Sequence, residues 1–278
     1  MIRLEDAEAK LLGDLIETRF GLSFQGVRRD ILQGRLQARL QTLRLSSFLD
    51  YYHYLSAHPN REAEFGELAL RLTNNETYFF REPHHFDLVA REVVPALGAA
   101  LASRPLRALS AGCSSGEEPY SLAIRLFEAG VELQGVRWDI QGCDVNPARI
   151  AQARAAVYDA GALRACDPAA RQRYFTEEGG RFRLKERYRR GVTFFEANLV
   201  AGVSGLRQAM YDVILCRNLL IYMSDAAFRR LIERFAEWLA PGGYLMLGHS
   251  ESLIDRAPAF EPVNLGGSIV YRRAGAAA

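Results

Sequence analysis

The chain is poor in the features that would mark it for a special environment. Its four cysteines, Cys113, Cys143, Cys166 and Cys216, form no C-x-x-C pair. That speaks against zinc or a redox motif and for small buried thiols in a reducing compartment. No apolar run is long enough to span a bilayer. The opening Met1-Ile2-Arg3-Leu4-Glu5-Asp6 carries acids where a secretory leader has a basic and then an apolar stretch, so a cytoplasmic protein without membrane insertion is expected. Neither charge is in excess: 35 Lys and Arg stand against 33 Asp and Glu, a net +2 over 278 residues. A protein that coats nucleic acid shows a large basic excess, so that class is set aside, local patches excepted. What is present is ordinary globular material. The apolar fraction of 49 % excludes wholesale disorder and suffices for one large domain or two modest ones.

The first seventy-odd residues read as helices only. Leu4, Ala7, Leu11, Leu12, Leu15 and Ile16 recur at helical spacing, and Ile31, Leu32, Leu36, Leu40 and Leu43 do so over Val27 to Leu43. Ser46 or Ser47 caps a third helix that stops near Pro59, and a fourth contains Phe65, Leu68, Leu70 and Leu72. From Arg107 the pattern changes to strands alternating with helices. Strands are expected at Leu106–Ala111, Val136–Asp144, Val192–Glu196, Tyr211–Cys216 and Tyr244–Gly248, with short pieces near Phe260 and Ser268. Helices follow at Pro119, at Asn146-Pro147 and from Ala226 to Leu239, the last stopped by Pro241-Gly242-Gly243. This predicts an α/β, Rossmann-like domain with a mostly parallel sheet. The run from Arg171 to Arg190 breaks the alternation with a hairpin around Gly179-Gly180. The expected organisation is a helical unit at 1–74, a linker at 75–90 and an α/β domain at 91–278 carrying a small antiparallel β-subdomain at about 171–191.

In such a sheet, ligands bind past the C-terminal strand ends at the switch point. The first turn there is Gly112-Cys113-Ser114-Ser115-Gly116-Glu117-Glu118-Pro119. Its glycines allow close backbone approach, yet it is no G-x-G-x-x-G fingerprint, and its two acids oppose a pyrophosphate at the helix start. Asp144 ends the second strand, where a carboxylate suits ribose hydroxyls; the alternative is an Asx cap for the next helix. Together these features favour S-adenosylmethionine over a dinucleotide. The fourth strand ends in Cys216-Arg217-Asn218-Leu219-Leu220-Ile221-Tyr222; it lacks the prolines with which amino methyltransferases grip a planar base, which argues against a nucleic-acid substrate. Leu72 to Phe86 mixes polar and aromatic side chains as a half-buried lid does. Its His84-His85 pair has no third ligand nearby in sequence, so packing is preferred to metal binding.

The ordered set Asn75-Glu76-Thr77-Tyr78-Phe79-Phe80-Arg81, Ser114 through Ser121, Asp144, Asn198-Leu199 and Cys216 through Tyr222 resembles the chemoreceptor glutamate methyltransferases, the CheR family, over almost the whole chain. The resemblance implies that Asn75, Thr77, Arg81, Gly112, Glu117, Asp144, Asn198, Leu199, Arg217 and Asn218 contact S-adenosyl-L-methionine and its product S-adenosyl-L-homocysteine, with the choice between Glu117 and Glu118 open. It implies transfer of a methyl group to receptor glutamates, with Arg81 and Tyr222 orienting the incoming carboxylate. It further implies an acidic helical receptor partner. For that partner the sequence offers Arg28, Arg35 and Arg39 on one stripe of the second helix and the arginines of the hairpin. In some family members the hairpin pairs with a receptor C-terminal peptide; the short turn here favours independence from that tether. A monomer is expected. The competing readings are a small-molecule or RNA methyltransferase and a non-catalytic S-adenosylmethionine sensor.

Overall fold

The computed structural model describes residues 2–24, 29–73, 75–202, 210–254 and 256–274. Four helices lead the chain: α1 (Asp6–Phe20), α2 (Arg29–Leu43), α3 (Phe48–Ala57) and α4 (Arg61–Leu72). Their apolar stripes meet in one core containing Leu12, Ile16, Leu32, Leu36, Leu40, Phe48 and Leu68. Ser47 caps α3 by accepting from the Asp50 N–H at 3.0 Å. Gly21 closes α1 at φ +72°; a Cβ there would lie 2.7 Å from the Ala227 Cβ. The glycine thus lets the end of α1 lie directly on a later part of the chain.

The next stretch, expected as a linker as far as residue 90, is largely helical. It holds α5 (His84–Leu88), a π-helical turn over Val89–Val93, α6 (Val94–Leu97) and α7 (Ala100–Ser103). The π turn leads into Pro95, in the first turn of α6, where its missing N–H breaks the regular ladder.

The central sheet has seven strands in the order β6-β2-β1-β7-β8-β10-β9. β1 (Leu106–Ala111), β2 (Trp138–Asp144), β6 (Val192–Glu196), β7 (Tyr211–Cys216) and β8 (Leu239–Leu247) run parallel. β9 (Phe260–Leu265) and β10 (Ser268–Arg273) close one edge antiparallel. Helices α8 (Glu117–Glu128), α9 (Pro147–Ala155) and α11 (Asp225–Trp238) make the crossovers. Strand alternation divides the core. Ile214 and Cys216 pack with Phe228, Leu231 and Phe235 of α11, whereas Val213 and Leu215 pack with Leu122 and Leu126 of α8 and with Val89. The order reverses between β1 and β7, which places the switch point beside Gly112.

Two expectations are corrected. Pro241-Gly242-Gly243 does not separate helix from strand: β8 already begins at Leu239 and runs through it. A register irregularity opposite Tyr211 and Val213 absorbs the proline as a bulge. The antiparallel insert is larger than the predicted hairpin. α10 (Pro168–Tyr174) leads into β4 (Phe175–Glu178) and β5 (Arg181–Leu184), turning at Gly179 and Gly180 with φ of +58° and +76°. A third strand, β3 (Val157–Tyr158), pairs with the other side of β5. Two residues are too short for any periodic signal.

Candidate functional site

A cleft of about 1080 Å³, open to solvent, lies at the switch point. Its wall is drawn from distant parts of the chain: Phe20 and Leu22 after α1, the 72–81 segment, the turn after β1, Asp144, Ala197 to Val200, and the turn after β7. Gly112 has φ +78°, and a Cβ there would sit 3.2 Å from Leu219 Cδ2, so the floor is bare backbone. Asp144 is held from both sides. Its Oδ2 accepts from the Ser114 N–H and its Oδ1 from the Asn146 N–H, each at 2.9 Å. Burial raises its pKa and these amides oppose the rise. The helix cap that competed for Asp144 is made by Asn146, whose Oδ1 accepts from the Arg149 N–H at 3.0 Å. Asp144 therefore keeps a lone pair on each oxygen for a ligand in the cleft.

Of the two neighbouring acids, Glu118 lines the cleft and Glu117 does not. The choice between the two acids was open in sequence, and the cleft wall carries Glu118. Successive residues on a helix point about 100° apart, so one acid faces out and the other turns inward. Glu117 is 2 % exposed, accepts from Ser115 Oγ at 2.9 Å, and is pushed up to about 7 by burial. The Thr77 hydroxyl also bonds to it. Glu118 accepts from Ser110 Oγ at 2.7 Å and from Arg217 Nη1 at 3.0 Å.

Arg217 stitches the β7 end to the 75–86 segment. Beyond Glu118 it reaches the Arg81 carbonyl, pairs with Glu82 at 3.4 Å and lies 5.2 Å from the Phe86 ring. Asn75 lines the cleft and accepts from Asn146 Nδ2 at 3.3 Å. Arg81 donates to the Glu76 carbonyl at 3.0 Å and lies beside the Tyr78 ring, over which Arg164 stacks at 3.8 Å. Phe80 and Glu82, which bracket Arg81, have φ of +61° and +50°; Ser114 and Asn218 have +47° and +59°. Such left-handed conformations in non-glycine residues are held only where surrounding structure enforces them; Ser114 and Asn218 line the cleft and Phe80 and Glu82 flank Arg81, while Arg44 and Ala156 adopt the same conformation elsewhere.

The Asn198 side chain is committed to structure. Its Nδ2 donates to the Arg19 carbonyl at 2.5 Å and its Oδ1 accepts from the Val200 and Ala201 N–H groups at 3.0 Å. It faces the cleft next to the buried Leu199. Tyr222 also lines the cleft. Its carbonyl accepts from the Ser23 N–H at 2.9 Å, beside a Leu22–Met223 bridge. Phe20, Leu22 and Tyr78 were missed from sequence; the first two reach the cleft only because α1 docks on the segments at 198–202 and 222–224.

A family description, CheR methyltransferase, SAM binding domain, matches residues 75–267, and the CheR all-alpha domain matches 7–73. The chain belongs to the CheR methyltransferase family. It is 32 % identical, over 98 % of both chains, to the chemotaxis protein methyltransferase of Vibrio parahaemolyticus. It is 34 % identical to a probable chemotaxis protein methyltransferase of Rhizobium etli, over 87 % of this chain and 91 % of that one. A probable biofilm formation methyltransferase, WspC of Pseudomonas putida, is 32 % identical over 93 % of this chain and 60 % of its own length.

This CheR-family chain is an S-adenosylmethionine-dependent methyltransferase, and the cleft fits that cofactor. Gly112 admits close approach of a ligand to the backbone, Asp144 presents fixed acceptors, and the Glu118 carboxylate, paired with Arg217, lines the same wall. Among the described residues no group of three His, Cys, Asp or Glu is arranged to hold a metal ion. His85 is buried against His84, ring centroids 4.1 Å apart, and burial pushes its pKa down to about 3.

Of the expected basic stripe of α2, Arg35 and Arg39 do not present free cations to solvent. Arg28 lies outside the described residues. Arg39 is 7 % exposed and pairs with Glu64 and Glu67. Arg35 is half-buried, donates to the Leu72 carbonyl and lies near the Phe24 ring. Both sit at the margin of the apolar face that carries Leu32, Leu36 and Leu40, so they turn toward α4 rather than solvent. The hairpin's cations are engaged locally as well: Arg173 with Glu128, Arg183 with Glu178, and Arg171 with the Leu163 and Cys166 carbonyls.

Proposed function

We propose that this enzyme esterifies the side-chain carboxylate of glutamates on the helical cytoplasmic domain of chemoreceptors, for sensory adaptation. The reading rests on one observation above all: Arg81 and Tyr222 share a cleft wall with Asp144 and Glu118, in a chain whose relatives are chemotaxis methyltransferases over nearly its full length. Asn75, Thr77, Arg81, Gly112, Asp144, Asn198, Leu199, Arg217 and Asn218 hold the cofactor in this reading, and of the two acids Glu118, which lines the cleft, is the one taken to join them. Bound S-adenosylmethionine supplies a methyl group on a positive sulfonium. A glutamate carboxylate, with a reference pKa of about 4.3, is ionised at neutral pH and needs no general base. The chain's task is therefore alignment. The Arg81 fork takes the carboxylate and the Tyr222 hydroxyl donates to it, so that one oxygen faces the methyl carbon. As the O–CH₃ bond forms and the S–CH₃ bond breaks, positive and negative charge cancel. The wall of Phe20, Leu22, Phe86 and Leu219 favours that loss of charge over the separated ions.

Among the described residues no helix is long and apolar enough to cross a membrane; a cytoplasmic monomer is part of the proposal. The two-residue turn at Gly179-Gly180 supports methylation of receptors that lack a C-terminal tail. The test is incubation with tritiated S-adenosylmethionine and a panel of receptor cytoplasmic fragments, followed by base. Release of volatile methanol is expected. Label that resists base, or label appearing only on small molecules or RNA, overturns the reading.

A further inference from the structure

The turn after β7 carries Arg217, Asn218, Leu219 and Tyr222 of the cleft wall, yet its only regular structure is a short 3-10 turn over Leu220–Tyr222. With Asn218 left-handed at φ +59°, successive backbone N–H groups of this turn point to one spot. The carboxylate of Glu251, from the loop after β8, fills that spot. Its Oε2 accepts from the N–H groups of Asn218 at 2.8 Å and Gly248 at 2.9 Å. Its Oε1 accepts from Leu219 at 3.0 Å, Leu220 at 2.7 Å and Ile221 at 3.4 Å. Glu251 itself is not part of the cleft wall. Gly248 leaves room for it: a Cβ there would lie 3.0 Å from Oε2.

We propose that Glu251 is a positioning residue for methyl transfer, holding the turn so that Arg217 and Asn218 face the cofactor and Tyr222 faces the substrate. The role given to Tyr222 rests on the substrate reading above. An anion is what the site requires. Every group aimed at it is a donor, and both oxygens are used, one by two amides and the other by three. A glutamine of the same shape has one acceptor oxygen, and its amide turns N–H toward N–H. The turn is too short to keep its shape by its own hydrogen bonds, so the loss falls on the residues it presents.

Glu251→Gln is the test, read by thermal melting, by calorimetry with S-adenosylhomocysteine and by receptor turnover. The expected result is a folded protein with product affinity about tenfold weaker and kcat about 30-fold lower. In a Tyr222→Phe background, itself impaired, Glu251→Gln is expected to add less than about threefold. Gly248→Ala, which pushes a methyl group against Oε2 and against Asn218, gives the same pattern in milder form, and Glu251→Asp, which withdraws the carboxylate from the amides without touching Asn218, serves if Glu251→Gln fails to fold. A folded Glu251→Gln protein that binds product and turns over within about twofold of wild type overturns the assignment. Additive losses from Glu251→Gln and Tyr222→Phe overturn the link to Tyr222. Wild-type enzyme that labels no receptor sinks the substrate reading instead, and product affinity alone then decides for or against Glu251.

Discussion

Arg39 and Glu64 meet as a two-pronged ion pair inside the helical unit, Nε to Oε1 at 2.9 Å and Nη2 to Oε2 at 2.5 Å, with the Tyr51 hydroxyl donating to the same carboxylate at 2.6 Å. The pair locks α2 to α4. Removing one partner strands a buried charge. Arg39→Ala is therefore expected to lower unfolding free energy by about 3–5 kcal/mol, and Arg39→Met with Glu64→Leu, combined with Tyr51→Phe so that no buried hydroxyl is stranded, to restore most of it. Urea titrations of the single and combined variants check this. Receptor turnover of the folded combined variant should stay near wild type, because the pair lies outside the cleft wall.

Arg81 is expected to matter for turnover far more than for folding. Its guanidinium donates to the Glu76 carbonyl and lies beside an aromatic ring at the cleft. Arg81→Ala should cut kcat by about 10²-fold or more, with melting temperature nearly unchanged. Turnover near wild type would remove Arg81 from the proposed chemistry.

In the proposed function Asp144 joins cofactor binding to the local fold. Both of its oxygens hold backbone amides while it faces the cleft. In Asp144→Asn one acceptor becomes a donor aimed at an N–H, and the pair of acceptors for ribose hydroxyls is lost. Calorimetry should show S-adenosylhomocysteine binding at least about tenfold weaker.

Glu117 predicts a pH dependence of stability. Its carboxyl is raised from 4.5 to about 7 by burial, against the lowering effect of the Ser115 and Thr77 hydroxyls. Between about 4.5 and about 7 the folded chain retains a proton that the unfolded chain has released. This group's contribution to stability thus falls as pH rises through that window and levels off above it. Glu117→Gln removes the slope and is expected to gain on the order of 2 kcal/mol relative to wild type above pH 7. Unfolding curves at pH 5 and pH 8 measure it. An unchanged difference between the two proteins at both values would contradict the burial argument.

The helices and parallel strands were legible because each buries one face or both, and burial imposes a period of 3.6 or 2 on the apolar residues. Leu32, Leu36 and Leu40 announce α2 without reference to anything distant, and the apolar run of Tyr211 to Cys216 announces β7. The ends of β1, β2 and β7 could then be placed together, since an open α/β sheet has one ligand-binding edge. The glycine turn, Asp144 and the Arg217–Tyr222 segment became neighbours on that ground alone.

Direction and partnership were decided in three dimensions. Sequence places Glu117 and Glu118 side by side, yet packing under the loop at Ser115 sends one inward and leaves the other in the cleft. Arg35 and Arg39 share a stripe in sequence, but the carbonyl of Leu72 and the acid of Glu64 turn that stripe toward α4. Phe20 and Leu22 reach the site through contacts spanning much of the chain, and Glu251 touches the turn beside it from some thirty residues on, where no local period exists to betray them. Periodicity records which residues leave water; it carries no information on which of them will find one another, because that depends on how separately formed elements dock.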